Sequence, residues 1–264
     1  MVRTLLVRGL LVGLLAGLLA GGFAFLYGEP HVDSAIALEE AAAAQDTEAE
    51  GAAPADGGEA AHSHGEEAEV SRPAQKAGLF LATGLYGLAM GGVFALVFAG
   101  LRGRVGPRSD GPLALAAATA VFGAVVLVPF LKYPANPPAV GDPDTIGGRT
   151  LLYVVMVLVG LAATAIAVAT ARRVSTKDPW ARWVWSAVAF LVPVVAAWSL
   201  LPAIDEVPDG FPATLLWEFR IASIGTQLVF WTAFGVLFGW VSDRAARRAA
   251  SVPAPGPAAA PSPG

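Results

Sequence analysis

Six stretches of about twenty apolar residues recur along this chain, and no Asp, Glu, Lys, Arg or His falls at the centre of any of them. A backbone amide in hydrocarbon has no water to bond, so it must be satisfied within its own segment. A run of about 20 residues rising about 1.5 Å each crosses a core of about 30 Å as a helix. The runs lie at about Leu5 to Leu26, Ala77 to Leu101, Leu113 to Leu131, Thr150 to Ala171, Trp183 to Leu201 and Ile221 to Val241. Composition agrees, with 55% hydrophobic residues and 14% charged, too few charges for the wetted surface of a soluble domain. The expected fold class is an all-α integral membrane protein with six transmembrane helices. Pro193 should kink the fifth of them, and Trp217 and Trp240 flank the sixth at headgroup depth.

Lys and Arg are retained on the cytoplasmic side of a membrane, whereas acids matter little to orientation. Arg3, Arg8, Arg102, Arg104, Arg108, Arg172, Arg173, Lys177, Arg182, Arg244, Arg247 and Arg248 fall in alternate segments, 12 of the 17 basic residues. The intervening segments hold 18 of the 21 acids and every histidine. Both termini are therefore expected in the cytoplasm, in a multi-pass protein of the inner (cytoplasmic) cell membrane.

The first span admits two readings. Arg3 and Arg8 before an apolar run also describe a secretory signal, and Gly22-Phe23-Ala24 is a poor cleavage site; cleavage leaves five helices. Retention is favoured by Gly9, Gly13, Gly17 and Gly21, whose spacing of four clears one helix face for the backbone of a neighbour. Gly87 with Gly91, and Gly235 with Gly239, repeat that spacing in pairs that ordinary membrane composition already accounts for.

The organisation expected from these runs is a first helix at 1–27 and an outer acidic, His-containing loop at 28–76, followed by a five-helix bundle at 77–243 and a disordered cytoplasmic tail at 244–264. Within the loop, 41–58 are mostly Ala, Glu, Asp and Gly with one Pro, a composition too poor in apolar surface to order itself. The outer loops at 132–149 and 202–220 are rich in proline and should be ordered caps. Their likeness suggests that the two helix pairs are distant copies.

Two groups of residues have metal-ligand chemistry. His62 and His64 lie beside Glu66 and Glu67, and imidazole with carboxylate suits cobalt, nickel or zinc better than magnesium. A solvated acidic tract containing two ordinary histidines is the plain alternative. Glu29, His31 and Asp33 alternate by two, which would place all three on one side of an extended segment; the competing reading is the polar flank any span needs. Asn136, Asp142, Asp205 and Glu218 are outer-loop candidates for lining an ion path. Within the spans, Ser223, Thr226 and Gln227 are the clustered polar groups, and helix-to-helix hydrogen bonding accounts for them.

Other chemistries are disfavoured. There is no cysteine, which removes disulfides and thiolate sites. The chain has no Walker lysine motif, no nucleophile elbow, and no basic stripe for nucleic acid. An enzyme is not expected.

The stretches "GEPHVDSAIALEE", "VSRPAQKAGLFLATGLYGLAMGGVFAL" and "LVPFLKYPANPPAVGDPDTIGGRTLLY" resemble the CbtA family of predicted cobalt transporter subunits, over nearly the whole chain to about Arg244. The resemblance implies five to six helices and uptake of Co2+, or Ni2+, as cargo for cobalamin synthesis, without a tightly bound cofactor. It also implies a small His-rich membrane partner, CbtB. The family's His-containing loop matches His62 and His64, and its GEP motif matches Gly28, Glu29 and Pro30. A non-conducting scaffold or accessory metal-binding protein is the alternative function.

Overall fold

Every regular element is helical in the computed structural model, which describes residues 2–51, 71–174 and 179–251. Helix α1 (Val2–Phe23) passes through one π-helical turn, Ala24–Gly28, into α2 (Glu29–Gly51). Next come α3 (Arg72–Leu101) and α4 (Asp110–Val121), which continues through a π-helical stretch, Phe122–Leu127, into α5 (Val128–Lys132). A 3-10 turn at Pro143–Thr145 opens α6 (Ile146–Arg173), followed by α7 (Pro179–Leu200) and α8 (Ala213–Ala250). Six helical segments are long and apolar enough to cross a membrane, matching the six runs of the sequence.

Several boundaries differ from the sequence expectation. Residues 41–51, read as unstructured, extend α2, because Ala- and Glu-rich sequence carries high helix propensity even where it has no core to bury. The bundle begins at Arg72 rather than 77, with Pro73 in the first turn of α3, where a missing N–H costs nothing. The second proline-rich loop ends at Pro212, and α8 runs on to Ala250, past the expected end of the bundle at 243. Helix α7 continues through Pro193 without interruption.

The first helix is part of the bundle core, not an appendage. A Cβ added at Gly13 would strike the carbonyl oxygen of Gly87, and one added at Gly9 would strike that of Gly91; the reverse substitutions at Gly87 and Gly91 meet Gly13 and Gly9. Gly17 meets the Thr83 carbonyl in the same way. The glycine faces of α1 and α3 thus lie backbone against backbone. Gly235 and Gly239 approach Ala118 and Gly111 of α4, and Gly160 of α6 approaches the Ala124 carbonyl in the π-helical stretch. The two pairs that composition seemed to explain are packing residues.

Around this seam α1 also contacts α8, α8 contacts α4, and α6 pairs with α7. Phe230, Phe234 and Phe238, one turn apart on α8, face α3: Phe230 meets Tyr86 at 5.3 Å, Phe94 is edge-on to Phe234 at 4.8 Å and Phe98 is edge-on to Phe238 at 5.1 Å. Helices α6 and α7 stand at the periphery: 17% and 6% of their apolar windows are buried, against 33–39% for the other spans.

Substituting Gly13→Leu should force α1 off α3 and lower the thermal unfolding midpoint in detergent, at a cost of about 3 kcal/mol or more by analogy with overpacked cores. Gly22→Ala, where nothing lies within 4 Å of the added carbon, should leave the midpoint unchanged. Equal midpoints for the two variants would contradict the seam.

Candidate functional site

The bundle has one basic end and one acidic end, and the candidate ligands sit at the acidic one. Here Glu29 and Asp33, one turn apart on α2, face the start of α3. Arg72 donates to Glu29 Oε2 at 2.8 Å and to Asp33 Oδ1 from Nε at 3.0 Å, and Lys76 donates to Asp33 Oδ2 at 2.7 Å. Two carboxylates and two cations form a neutral clasp between α2 and α3. A metal ion at Glu29 and Asp33 would first have to displace both cations.

His31 does not share that face. The segment is helical, so a spacing of two turns the side chain about 200° away, toward α8; an extended strand was the wrong period. Its Nδ1 lies 3.7 Å from Glu218 Oε2. The pair borders a hollow of about 270 Å³ walled by Phe23, Tyr27, Trp217 and Ile221. Imidazole and carboxylate, two donor types that suit a first-row divalent ion, thus converge from α2 and α8. Among the described residues no three His, Asp or Glu side chains come together as a metal site. His62, His64, Glu66 and Glu67 lie outside the described residues.

Farther along the same helices, Gln227 and Thr226 of α8 face Thr83 and Tyr86 of α3 across Gly17 and Ala20 of α1, enclosing a cavity of about 220 Å³. Gln227 is nine residues beyond Glu218, about 14 Å along the helix axis. The Tyr86 hydroxyl donates to Gln227 Oε1 at 3.4 Å. The Thr83 and Thr226 hydroxyls donate within their own helices, to Leu79 O and Ala222 O, each at 2.9 Å, leaving oxygen lone pairs available to the cavity. Sequence reading isolated Gln227 and Thr226 but missed their partners. The signal was there: Thr83 continues the every-fourth-residue stripe of Gly87 and Gly91.

The proline-rich caps pack on one another beside a second, larger cleft of about 650 Å³. Glu206 Oε2 accepts from the Asp142 backbone N–H at 3.0 Å and pairs with Arg149 Nη1 at 3.3 Å, while Arg149 Nη2 donates to Asp142 O at 3.1 Å. Arg149 occupies the space where a Cβ on Gly141 would lie, and Gly141 has φ +117°, so glycine is required there twice over. Tyr133 donates to Pro202 O at 2.8 Å, and Arg220 Nη2 donates to Asn136 Oδ1 at 2.9 Å.

These partners sort the four path candidates. Asn136 is held by Arg220; Asp142 caps the 3-10 turn through Asp144 N at 2.9 Å; Glu218 belongs with His31, away from the cleft. Asp205 lines the cleft together with Asn136 but makes no side-chain hydrogen bond or ion pair among the described residues; it lies beside Glu206 and faces Lys132, Arg149 and Arg220. Three cations against two carboxylates make this cleft a poor attractor for a bare dication.

A family model described as a probable cobalt transporter subunit, CbtA, matches residues 2–243. The chain belongs to the CbtA family. The match takes in α1 through to the basic end of α8, so the His31–Glu218 pair, the polar cavity and both caps all lie within the CbtA region. No curated protein and no solved structure matches the chain.

The Glu206 carboxyl is held below its ordinary range, first by the Asp142 N–H, then by Thr145, with Arg149 contributing. A depressed carboxylate contributes stability that is fully present above its unfolded-state pKa and is lost as pH falls through the folded one. Glu206→Gln should therefore lower the thermal midpoint at neutral pH. The gap from the unsubstituted protein should close on acidification below the ordinary glutamate range; a gap independent of pH would assign the effect to packing.

Proposed function

We propose that this CbtA chain is the membrane subunit of a cobalt uptake transporter that supplies cobalt for cobalamin synthesis, with its acidic end outside and its basic end in the cytoplasm of the cell's inner membrane. The observation that carries the reading, beyond family membership, is the placement of His31 and Glu218 at the acidic end of the same helices that enclose the polar cavity. The acidic end concentrates cations by a field that salt screens. His62 and His64, with Glu66 and Glu67, capture the ion; His31 and Glu218 receive it at the bundle mouth. The oxygens of Thr83, Tyr86, Thr226 and Gln227 then replace part of its hydration shell between α1, α3 and α8. Neutral oxygens suit an ion that must leave again, because conduction needs binding strong enough for entry and weak enough for release.

A small His-rich membrane subunit of the CbtB type is the partner we propose. The peripheral helices α6 and α7 leave most of their apolar surface available to lipid or to such a subunit. Nickel is the alternative cargo of the same donor set. The second reading, a non-conducting accessory protein that binds metal or another membrane protein, is favoured by the want of a three-ligand site among the described residues.

Uptake of radiolabelled cobalt by cells expressing the chain, with and without the partner, separates these readings; no uptake in either case would sink transport. Within transport, His31→Ala and His62→Ala/His64→Ala should each raise the half-saturating cobalt concentration several-fold. Gln227→Leu should instead reduce maximal uptake with little change in half-saturation. If the histidine variants leave half-saturation unchanged, the capture role falls while the path remains tested by Gln227.

A further inference from the structure

The basic end carries an arrangement that retention of positive charge alone does not explain. The two acids of this end among the described residues are engaged elsewhere: Asp110, buried, pairs with Arg102 at 2.6 Å, and Asp243 Oδ1 accepts from Gly111 N at 2.8 Å. That last contact turns the acid of α8 toward α4. Arg244, about 100° farther round the helix, lies on a different face, with Arg8 of α1. Arg8 of α1 with Arg244 and Arg248 of α8 then line a hollow of about 470 Å³ that holds no acidic residue. None of the three has a carboxylate partner among the described residues. Trp240 forms one wall, 57% exposed, with the Arg244 guanidinium 5.7 Å from its ring centroid.

A second feature continues from the first. Leu19 of α1 and Leu228, Thr232 and Val236 of α8 line an apolar groove of about 520 Å³. Leu228, Thr232, Val236, Trp240, Arg244 and Arg248 succeed one another every four residues, one ridge of the helix about 30 Å long. The same ridge is therefore apolar at membrane depth, aromatic at headgroup depth and cationic beyond it. Three unpaired guanidiniums match the oxygens of a phosphate, and basic hollows between transmembrane helices are the usual seat of anionic headgroups. A soluble phosphate would use the hollow and leave the groove unexplained.

We propose that the seam between α1 and α8 binds one anionic phospholipid, its phosphate held by Arg8, Arg244 and Arg248 and one acyl chain lying in the groove that ends at Val236. The lipid fills the outer side of the α1–α8 contact, and so steadies the helix pair that also walls the polar cavity.

The test is native mass spectrometry of the full chain in detergent with added phosphatidylglycerol or phosphatidylcholine. The protein should retain one phosphatidylglycerol in preference to phosphatidylcholine, and Arg8→Gln or Arg244→Gln/Arg248→Gln should weaken retention by about fivefold per arginine. Arg173→Gln, a basic residue of α6 outside the hollow, should change nothing. Val236→Trp, which blocks the groove and leaves all three arginines, should also weaken retention and decides the matter if an arginine variant fails to fold. Equal retention of the two lipids, or unchanged retention in the variants, overturns the proposal. Displacement by millimolar inorganic phosphate overturns the lipid and assigns the hollow to a soluble anion.

Discussion

The contact on which the bundle depends is the backbone-to-backbone seam of α1 and α3. Lipid tails are as apolar as leucine, so helices in a membrane gain little by hiding apolar side chains from them, and association rests on close van der Waals contact. Gly9, Gly13 and Gly17 against Gly91, Gly87 and Thr83 bring two backbones as near as the chain allows. Any side chain at those five glycines would wedge the pair open. The aromatic ladder of α8 is complementary in the other sense, since Phe230, Phe234 and Phe238 reach across the wider gap to α3. One helix pair is thus joined by the smallest residues and the next by the largest.

That seam also sets the functional geometry. With α1 held close to α3, its Gly17 and Ala20 form the floor of a cavity whose polar walls come from α3 and α8. The π-helical turn at Ala24–Gly28 then carries the chain into α2, where His31 meets Glu218 and the clasp of Glu29, Asp33, Arg72 and Lys76 fixes α2 to the start of α3. A π turn shifts the register of the side chains that follow it, and here it precedes residues directed at two different helices. The caps and the clasp share a logic: Glu29, Asp33 and Glu206 are each engaged by Arg or Lys, whereas the Glu218 of the His31–Glu218 pair has no Arg or Lys partner among the described residues.

Much of the architecture is legible in the sequence. The six spans follow from hydropathy because lipid leaves an apolar run of that length no other structure than a helix. The glycine repeat of α1 announced a close neighbour, though not which one. The site was less legible. A strand period of two groups His31 with Glu29 and Asp33, whereas a helix separates them, and the helical state of 29–51 comes from propensity without a hydrophobic stripe to signal it. The sequence offers Asn136 and Asp142 as path residues without showing their partners in the caps, because a partner such as Arg220 lies more than eighty positions away.

What the sequence determined by itself was the solvent of the fold and the number of crossings, since both are properties of single segments: length, apolarity and the sign of the charge at each end. The tertiary structure alone decided which glycines meet, that Tyr86 and Thr83 complete the polar face begun by Gln227, that Glu218 leaves the proline-rich cap to join His31, and that Arg8 joins Arg244 and Arg248. Each of those is a relation between helices, and one helix's periodicity says which face is small, polar or charged without saying what will stand opposite it.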